Sequence, residues 1–196
     1  MSHYFIYDPK RDKNIIEIEG TIKDLKYHFS TDNGIFSFKH VDVGTTLLIE
    51  TLKINENCKS VLDLGCGYGV IGIVLKRENE QLLVTQSDIN ERAVELTKIN
   101  NKRYGFNNKV LVSNGFSEIK EKFDLITLNP PIKAGKSIIF EMYKDSINHL
   151  NKNGEFYVVV KKNHGAQSHL SFLQNIYENS AIIKKSKGFY VIKSKK

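Results

Sequence analysis

The 196 residues are 40% apolar, 26% charged and 10% aromatic, with three prolines. That composition excludes a disordered chain and predicts one globular domain, able to bury roughly 70% of its unfolded surface without a disulfide or structural metal. The two cysteines, Cys58 and Cys66, are too few for a disulfide framework and lack metal-ligand spacing, which points to a reducing compartment and no zinc site. His164 and His169 are five apart, not the i, i+4 pair that shares a helical face. No apolar run approaches the ~20 residues of a membrane span, and the opening MSHYFIYDPKRDK has no leader-like apolar core, so a cytoplasmic protein is expected. The net charge is +7, and its placement is one-sided: residues 150–196 hold nine Lys and two Glu, leaving residues 1–149 balanced. A basic surface of that kind favours a polyanion such as RNA.

Residues 1–43 read as an N-terminal β extension of the same domain. Ile15–Glu19 alternates, and Lys26–Thr31 and Gly34–Phe38 bracket Asp32-Asn33, which predicts a hairpin turning there. From residue 44 to 196 helical and strand patterns alternate: helix Leu47–Lys53, strand Ser60–Leu64, helix Val70–Arg77, strand Leu82–Ser87. A helix then starts near Asn90, a plausible N-cap, with Ile89, Ala93 and Leu96 on one stripe. Strands Lys109–Ser113 and Phe123–Leu128 follow, then helix Lys136–Leu150 and the apolar strand Glu155–Val160. A helix over Gln167–Glu178 precedes strands Ala181–Lys185 and Gly188–Lys193, whose two-residue link forces them antiparallel. The expected fold is an α/β, Rossmann-like, doubly wound sheet with helices on both faces and one antiparallel strand.

Ligands of such sheets sit beyond the carboxyl ends of the strands, and four clusters occupy that position. Asp63-Leu64-Gly65-Cys66-Gly67-Tyr68-Gly69 runs from a strand into a turn with glycines at alternate positions, which lets a cofactor approach the backbone. Gly67-Tyr68-Gly69-Val70-Ile71-Gly72 also satisfies G-x-G-x-x-G, but Asp63 puts a carboxylate where a dinucleotide would bring its pyrophosphate. A carboxylate suits a cofactor with no phosphate and a cationic ammonium and sulfonium, namely S-adenosylmethionine. Asp88, followed by Ile89, ends the next strand, where a carboxylate can accept both ribose hydroxyls. Asn114-Gly115 follows the third strand, where an amide could meet adenine. Asn129-Pro130-Pro131-Ile132 follows Phe123–Leu128, and its two prolines make a rigid segment that offers the Asn129 amide oxygen and the Pro130 carbonyl as acceptors for an NH2 group.

Taken together these residues resemble the class I S-adenosylmethionine-dependent methyltransferases, in particular the methyltransferase small domain group with its RsmC-like ribosomal RNA guanine-N2 methyltransferases. Phe36-Ser37 with Val41–Thr45 is similar to that group's segment ahead of the first core helix. Asp63–Gly67 resembles its cofactor loop, Asp88 its ribose carboxylate, Asn129–Lys136 its substrate-amine motif, and Lys161–Ala166 its segment after the fifth strand. The resemblance implies a seven-stranded sheet and a cofactor held by Asp63, Gly65, Cys66, Gly67, Asp88, Ile89, Asn114, Gly115 and Asn129. It also implies a catalytic set of Asn129, Pro130, Pro131 and Ile132.

The chain also departs from that group's pattern. Longer RsmC-like enzymes carry a second, duplicated N-terminal domain that helps engage RNA, whereas this chain has its short β extension. Ile132 stands where adenine-N6 and glutamine-N5 methyltransferases usually place an aromatic, which argues by analogy against adenine and glutamine, and Asn114 replaces an acidic residue common among relatives. The expected activity is therefore methyl transfer to an exocyclic base amine, guanine N2 of ribosomal RNA, with Lys133, Lys136, Lys161 and Lys162 on phosphates. The alternatives are a protein glutamine-N5 methyltransferase and a non-catalytic, cofactor-dependent RNA-binding or assembly module. A nicotinamide dehydrogenase is a distant third.

Overall fold

The structure is a computed structural model that describes residues 14–196. Residues 1–13 of the expected N-terminal extension lie outside the described residues. The first two strands, β1 (Ile15–Ile22) and β2 (Leu25–Asp32), form an antiparallel hairpin in which Ile22 pairs with Leu25. The hairpin therefore turns at Lys23-Asp24 and not at the expected Asp32-Asn33. Both Lys23 and Asp24 have positive φ, 48° and 63°, as a two-residue turn between twisted strands demands, and no glycine marks the spot. Asp32 instead closes β2: its carboxylate accepts from the backbone N–H groups of Asn14 and Gly34 and pairs with Arg92 at 2.9 Å.

The main sheet has seven strands in the order β5-β4-β3-β6-β7-β9-β8. These are β3 (Ser60–Leu64), β4 (Leu83–Asp88), β5 (Lys109–Val112), β6 (Phe123–Leu128), β7 (Leu150–Lys161), β8 (Asn179–Ser186) and β9 (Phe189–Lys195). Strand β9 lies antiparallel to both its neighbours and every other pairing in this sheet is parallel, which agrees with the expected Rossmann-like arrangement. The helices are α1 (Val43–Thr51), α2 (Val70–Glu78), α3 (Glu91–Arg103), α4 (Lys136–Asn148) and α5 (Ala166–Ile176).

Alternation along the strands splits the core in two. Val61, Val84, Leu125, Tyr157, Val159 and Val191 face one way and pack with α1, α2, α3 and the hairpin residues Ile18, Ile22, Tyr27 and Phe29. Their sequence neighbours Leu62, Ile126, Phe156, Val158 and Ile192 face the other way, toward α4 and α5. The hairpin is also tied to α3 by polar bonds. Asn100 accepts from Ser30 N–H at 2.7 Å and donates to the carbonyls of Ser30 and Tyr68 at 2.9 and 2.8 Å.

Element limits differ from expectation where a cap or bulge intervenes. Helix α1 begins at Val43, four residues before the expected start, because Asp42 caps it by accepting from Thr45 N–H at 2.8 Å. Helix α4 ends at Asn148, and Leu150, expected on its last turn, opens β7 by pairing with Phe123. A register shift between Phe123 and Leu125 absorbs the polar Asn151–Gly154 stretch before regular pairing resumes at Glu155. The β8–β9 turn falls on Lys187-Gly188, one residue later than expected.

Candidate functional site

The chain leaves β3 for β4 and β5 on one side, then returns to the other side of β3 with β6. The carboxyl ends of β3 and β6 thus flank the switch point of the sheet, where Leu64 and Leu128 are register partners. Gly65 and Asn129 are the next residues on the two strands.

On the β3 side the loop is wired by backbone. Cys66 N–H donates to the Ser87 carbonyl and Gly69 N–H to the Cys66 carbonyl, both at 2.9 Å, while Thr97 of α3 donates its hydroxyl to the Gly67 carbonyl at 2.8 Å. Gly65 and Gly67 have φ of 68° and 58°, a conformation that a side chain would strain. A Cβ on Gly67 would meet nothing within 4 Å, and one on Gly65 only Leu128, so the loop's outer face is an open cradle. Asp88 is half-buried at its rim. Its two oxygens accept from Gly67 N–H and Asn90 N–H, each at 2.9 Å, and burial raises its pKa.

Asp63 sits differently. It is wholly buried, with one oxygen accepting from Gly72 N–H at 3.0 Å and Gln86 Nε2 at 3.2 Å, the other without a partner, and its pKa raised to about 6 by burial. Its carboxylate therefore braces the start of α2 beneath the cradle and does not open on it. Cys66 is buried too, its thiol against Thr97. Ile89 is half-buried between Asp88 and the cap Asn90. Asn114 is exposed and Gly115 half-buried, on a turn tied to β4 by the Ser113 N–H bond to the Asp88 carbonyl.

On the β6 side the site is built from side chains. The Asn129 amide nitrogen donates to Asp42 Oδ2 at 3.0 Å and to Thr45 Oγ1 at 2.9 Å. With its nitrogen committed, the amide oxygen must point away from α1, and neither it nor the Pro130 carbonyl accepts a hydrogen bond among the described residues. Pro130 is buried, whereas Pro131 and Ile132 are half-buried at the start of a short 3-10 turn, Ile132–Ala134. Lys133 and Lys136 are exposed just beyond, and Lys136 reaches Ser168 of α5 at 2.9 Å. Lys161 and Lys162 are exposed at the end of β7.

Asp42 and Thr45 are site residues that sequence reasoning misses. The Asp-x-x-Thr spacing ahead of an apolar stretch is an N-cap signal, but nothing local says that the same carboxylate also holds a residue 87 positions away. Gln86 is another. It bonds Asp63 and the Gly69 carbonyl and accepts from Asn101, locking β3, α2 and α3 together.

The fold and this site define a Rossmann-like α/β protein with an open glycine cradle at the switch point of its sheet, beside the Asn129 and Pro130 acceptors. A family model described as methyltransferase small domain matches residues 26–193, and the chain belongs to that family. The chain is 36% identical over 197 residues to the Bacillus subtilis (strain 168) protein YbxB, covering 99% of this chain and 98% of that one. It is 39% identical over 130 residues to ribosomal RNA small subunit methyltransferase C of Cronobacter sakazakii, covering 64% of this chain and 38% of that protein. For the Actinobacillus pleuropneumoniae serotype 5b protein of the same name the identity is 34% over 166 residues, 82% of this chain and 50% of that one. The chain thus spans half or less of these two ribosomal RNA methyltransferases. Among solved structures, the Thermus thermophilus 16S rRNA N2 G1207 methyltransferase in complex with AdoMet and guanosine superposes with a TM-score of 0.82 at 20% identity, over 96% of this chain and 52% of that one, which shows a shared fold. Membership of the family makes S-adenosylmethionine the cofactor and methyl transfer the class of reaction. The cradle fits such a group: the space above Gly67 is open and a half-buried carboxylate, that of Asp88, stands at its rim. No helix among the described residues is long and apolar enough to cross a membrane.

Proposed function

We propose that the protein methylates an exocyclic amine of a nucleic-acid base, guanine N2 of ribosomal RNA. The observation that carries this reading is the double anchoring of Asn129, which commits the amide nitrogen to Asp42 and Thr45 and leaves the oxygen, beside the Pro130 carbonyl, for a substrate NH2. Asn129 and Pro130 would accept the two N–H bonds of the amine, fixing its plane so that the nitrogen lone pair is presented to the electrophile. Gly65, Cys66 and Gly67 would hold the cofactor by their backbone, Asp88 and Ile89 its ribose and base, with Asn114 and Gly115 at the adenine end. When bound, S-adenosylmethionine supplies an electrophilic methyl group on a sulfonium. Ile132 would pack beside the base, and Lys133, Lys136, Lys161 and Lys162 would face its phosphates. The released proton needs no buried base, because the amine nitrogen, cationic once it has taken the methyl group, is acidic enough to lose its proton to water. The relatives named as ribosomal RNA methyltransferases support the substrate class, and a cytoplasmic setting goes with it.

The test incubates the protein and its Asn129→Ala variant with methyl-labelled S-adenosylmethionine and an extract from cells lacking the modification. Label in ribosomal RNA, mapping to guanine N2 and lost in the variant, is the expected result. Label in protein would replace it with glutamine-N5 chemistry, and cofactor binding without label in either would leave a binding module.

A further inference from the structure

Strands β7 and β8 end, and β9 begins, on the side of the sheet shared with Asn129, in a surface that the four lysines named above only begin. Lys161 is the register partner of Phe189, and Phe189 of Ser186; one row inward Tyr190 pairs with Lys185. The turn joining the two antiparallel strands carries Lys187, and the Lys162 N–H donates to the Gly188 carbonyl at 2.8 Å, fastening that turn to the end of β7. Two lysines are held against rings on opposite faces of the sheet: Lys161 Nζ lies 5.8 Å from the Phe189 centroid on the α1 side, and Lys185 Nζ 5.0 Å from that of Tyr190 on the α4 and α5 side. The surface is continuous with the acceptor site. Phe189 packs against Gly44, where a Cβ would come within 2.9 Å of its ring, and Gly44 lies between the two residues that anchor Asn129. From Phe156 to Lys196 the chain carries eight lysines and one acidic residue, Glu178, which precedes β8 at the opposite end of the sheet.

We infer that the β8–β9 turn and the end of β7 form a track for the phosphates of a single-stranded RNA segment flanking the acceptor nucleotide, with Lys161, Lys162, Lys185 and Lys187 as its contacts. The inference rests on the nucleic-acid reading of the site and extends it to a surface. An RNA strand is the occupant that charge selects: Lys162 and Lys187 sit at the strand ends, with Lys161 and Lys185 flanking those ends from the two faces of the sheet, and a flexible strand can cross them away from a base held at Asn129.

The experiment titrates the full chain with a short fluorescein-labelled single-stranded RNA across a range of salt. It compares wild type, a Lys185→Gln/Lys187→Gln variant and a charge-matched Lys152→Gln/Lys195→Gln variant at the far end of the same strands, where Glu155 pairs with Lys195. Losing two phosphate contacts lowers the magnitude of the log–log salt slope by about 1.4, so over a fourfold rise in salt the wild type should lose about sevenfold more affinity than the first variant. The far-end variant should keep the wild-type slope, and all three should bind S-adenosylmethionine equally, which verifies the fold. An unchanged slope in the first variant, or an equal drop in the far-end variant, overturns the track. Because the readout is binding, absence of methyl transfer would sink the proposed reaction and leave this comparison decisive for the surface.

Discussion

The two halves of the site are stabilised in opposite ways. On the β3 side, Asp63, Gln86, Gly69, Gly72 and Asn101 form a buried mesh in which nearly every polar atom is spoken for, and the cradle is its outer skin. On the β6 side, one half-buried amide is held by one carboxylate and one hydroxyl from a helix start. Damage to the first half should therefore appear as lost stability, and damage to the second as lost rate in a folded protein.

The largest expected separation is at Asn129. Removing a preorganised polar partner of a reacting group costs about 2.7–4 kcal/mol of barrier, or about 100- to 1000-fold in kcat. Asn129→Ala should show that loss with cofactor affinity and melting temperature near wild type. A parallel fall in stability would place Asn129 in the same class as the mesh and erase the contrast.

The mesh should respond to pH. Asp63 is held near 6 in the folded protein against about 3.8 for an ordinary aspartate, a gap worth about 3 kcal/mol. Between those values the folded state keeps a proton that the unfolded chain has released. The contribution of Asp63 to stability is therefore highest below about pH 4 and declines as pH rises to about 6. In Asp63→Asn the amide oxygen can replace Oδ2 and keep both hydrogen bonds, with its NH2 in the place of the unpartnered oxygen. Urea denaturation from pH 4 to 7 should show the wild type losing about 2.5 kcal/mol relative to this variant. A flat difference would mean that the carboxylate is not confined as described, and a large loss of cofactor affinity in the variant would mean that it reaches the cradle after all.

Two glycines, one in the loop and one in the first turn of α2, sharpen the same comparison. A Cβ on Gly72 would stand 2.4 Å from Gln86 Nε2, and Gln86 cannot swing aside without breaking its bonds to Asp63 and Gly69. Gly72→Ala should cost about 1–3 kcal/mol in thermal or urea unfolding. Gly67→Ala meets no neighbour and should instead weaken cofactor binding in an equilibrium titration, with a smaller stability loss of about 1–2 kcal/mol from its φ. Equal effects at the two positions would contradict the division into mesh and cradle.

Much of the fold is legible in the residues, because it follows from alternation and punctuation. The apolar strand Phe123–Leu128 has the expected limits, and the short link after Lys185 forces an antiparallel last strand. The turn at Lys23-Asp24 is hidden because neither residue advertises a positive φ, and Leu150 looks helical because its spacing continues the face of α4 while its pairing partner, Phe123, lies 27 positions back. In the site, Gly65, Gly67, Asp88 and Asn129 can be picked out by their places after strands. The depth of Asp63 and the hold of Asp42 on Asn129 cannot, since both are set by which elements the fold brings together.

That hold provides the finest test. Asp42→Ala removes both a helix cap and an acceptor of Asn129, so it should lower stability by about 1 kcal/mol and kcat by about tenfold, with cofactor affinity unchanged. Thr45→Val is the cleaner probe, because it leaves the cap to Asp42, which takes the backbone N–H of residue 45, and deletes only the hydroxyl that accepts from Asn129. The amide then keeps one anchor of two, and the expected loss is about 0.5–1.5 kcal/mol of barrier, read as a fall in kcat of a few fold with the KM for S-adenosylmethionine at its wild-type value. Thr45→Ser, which restores the hydroxyl without the methyl, should recover most of it. If the valine variant turns over normally, Asp42 alone is enough to aim the amide, and the acceptor half hangs on a single carboxylate.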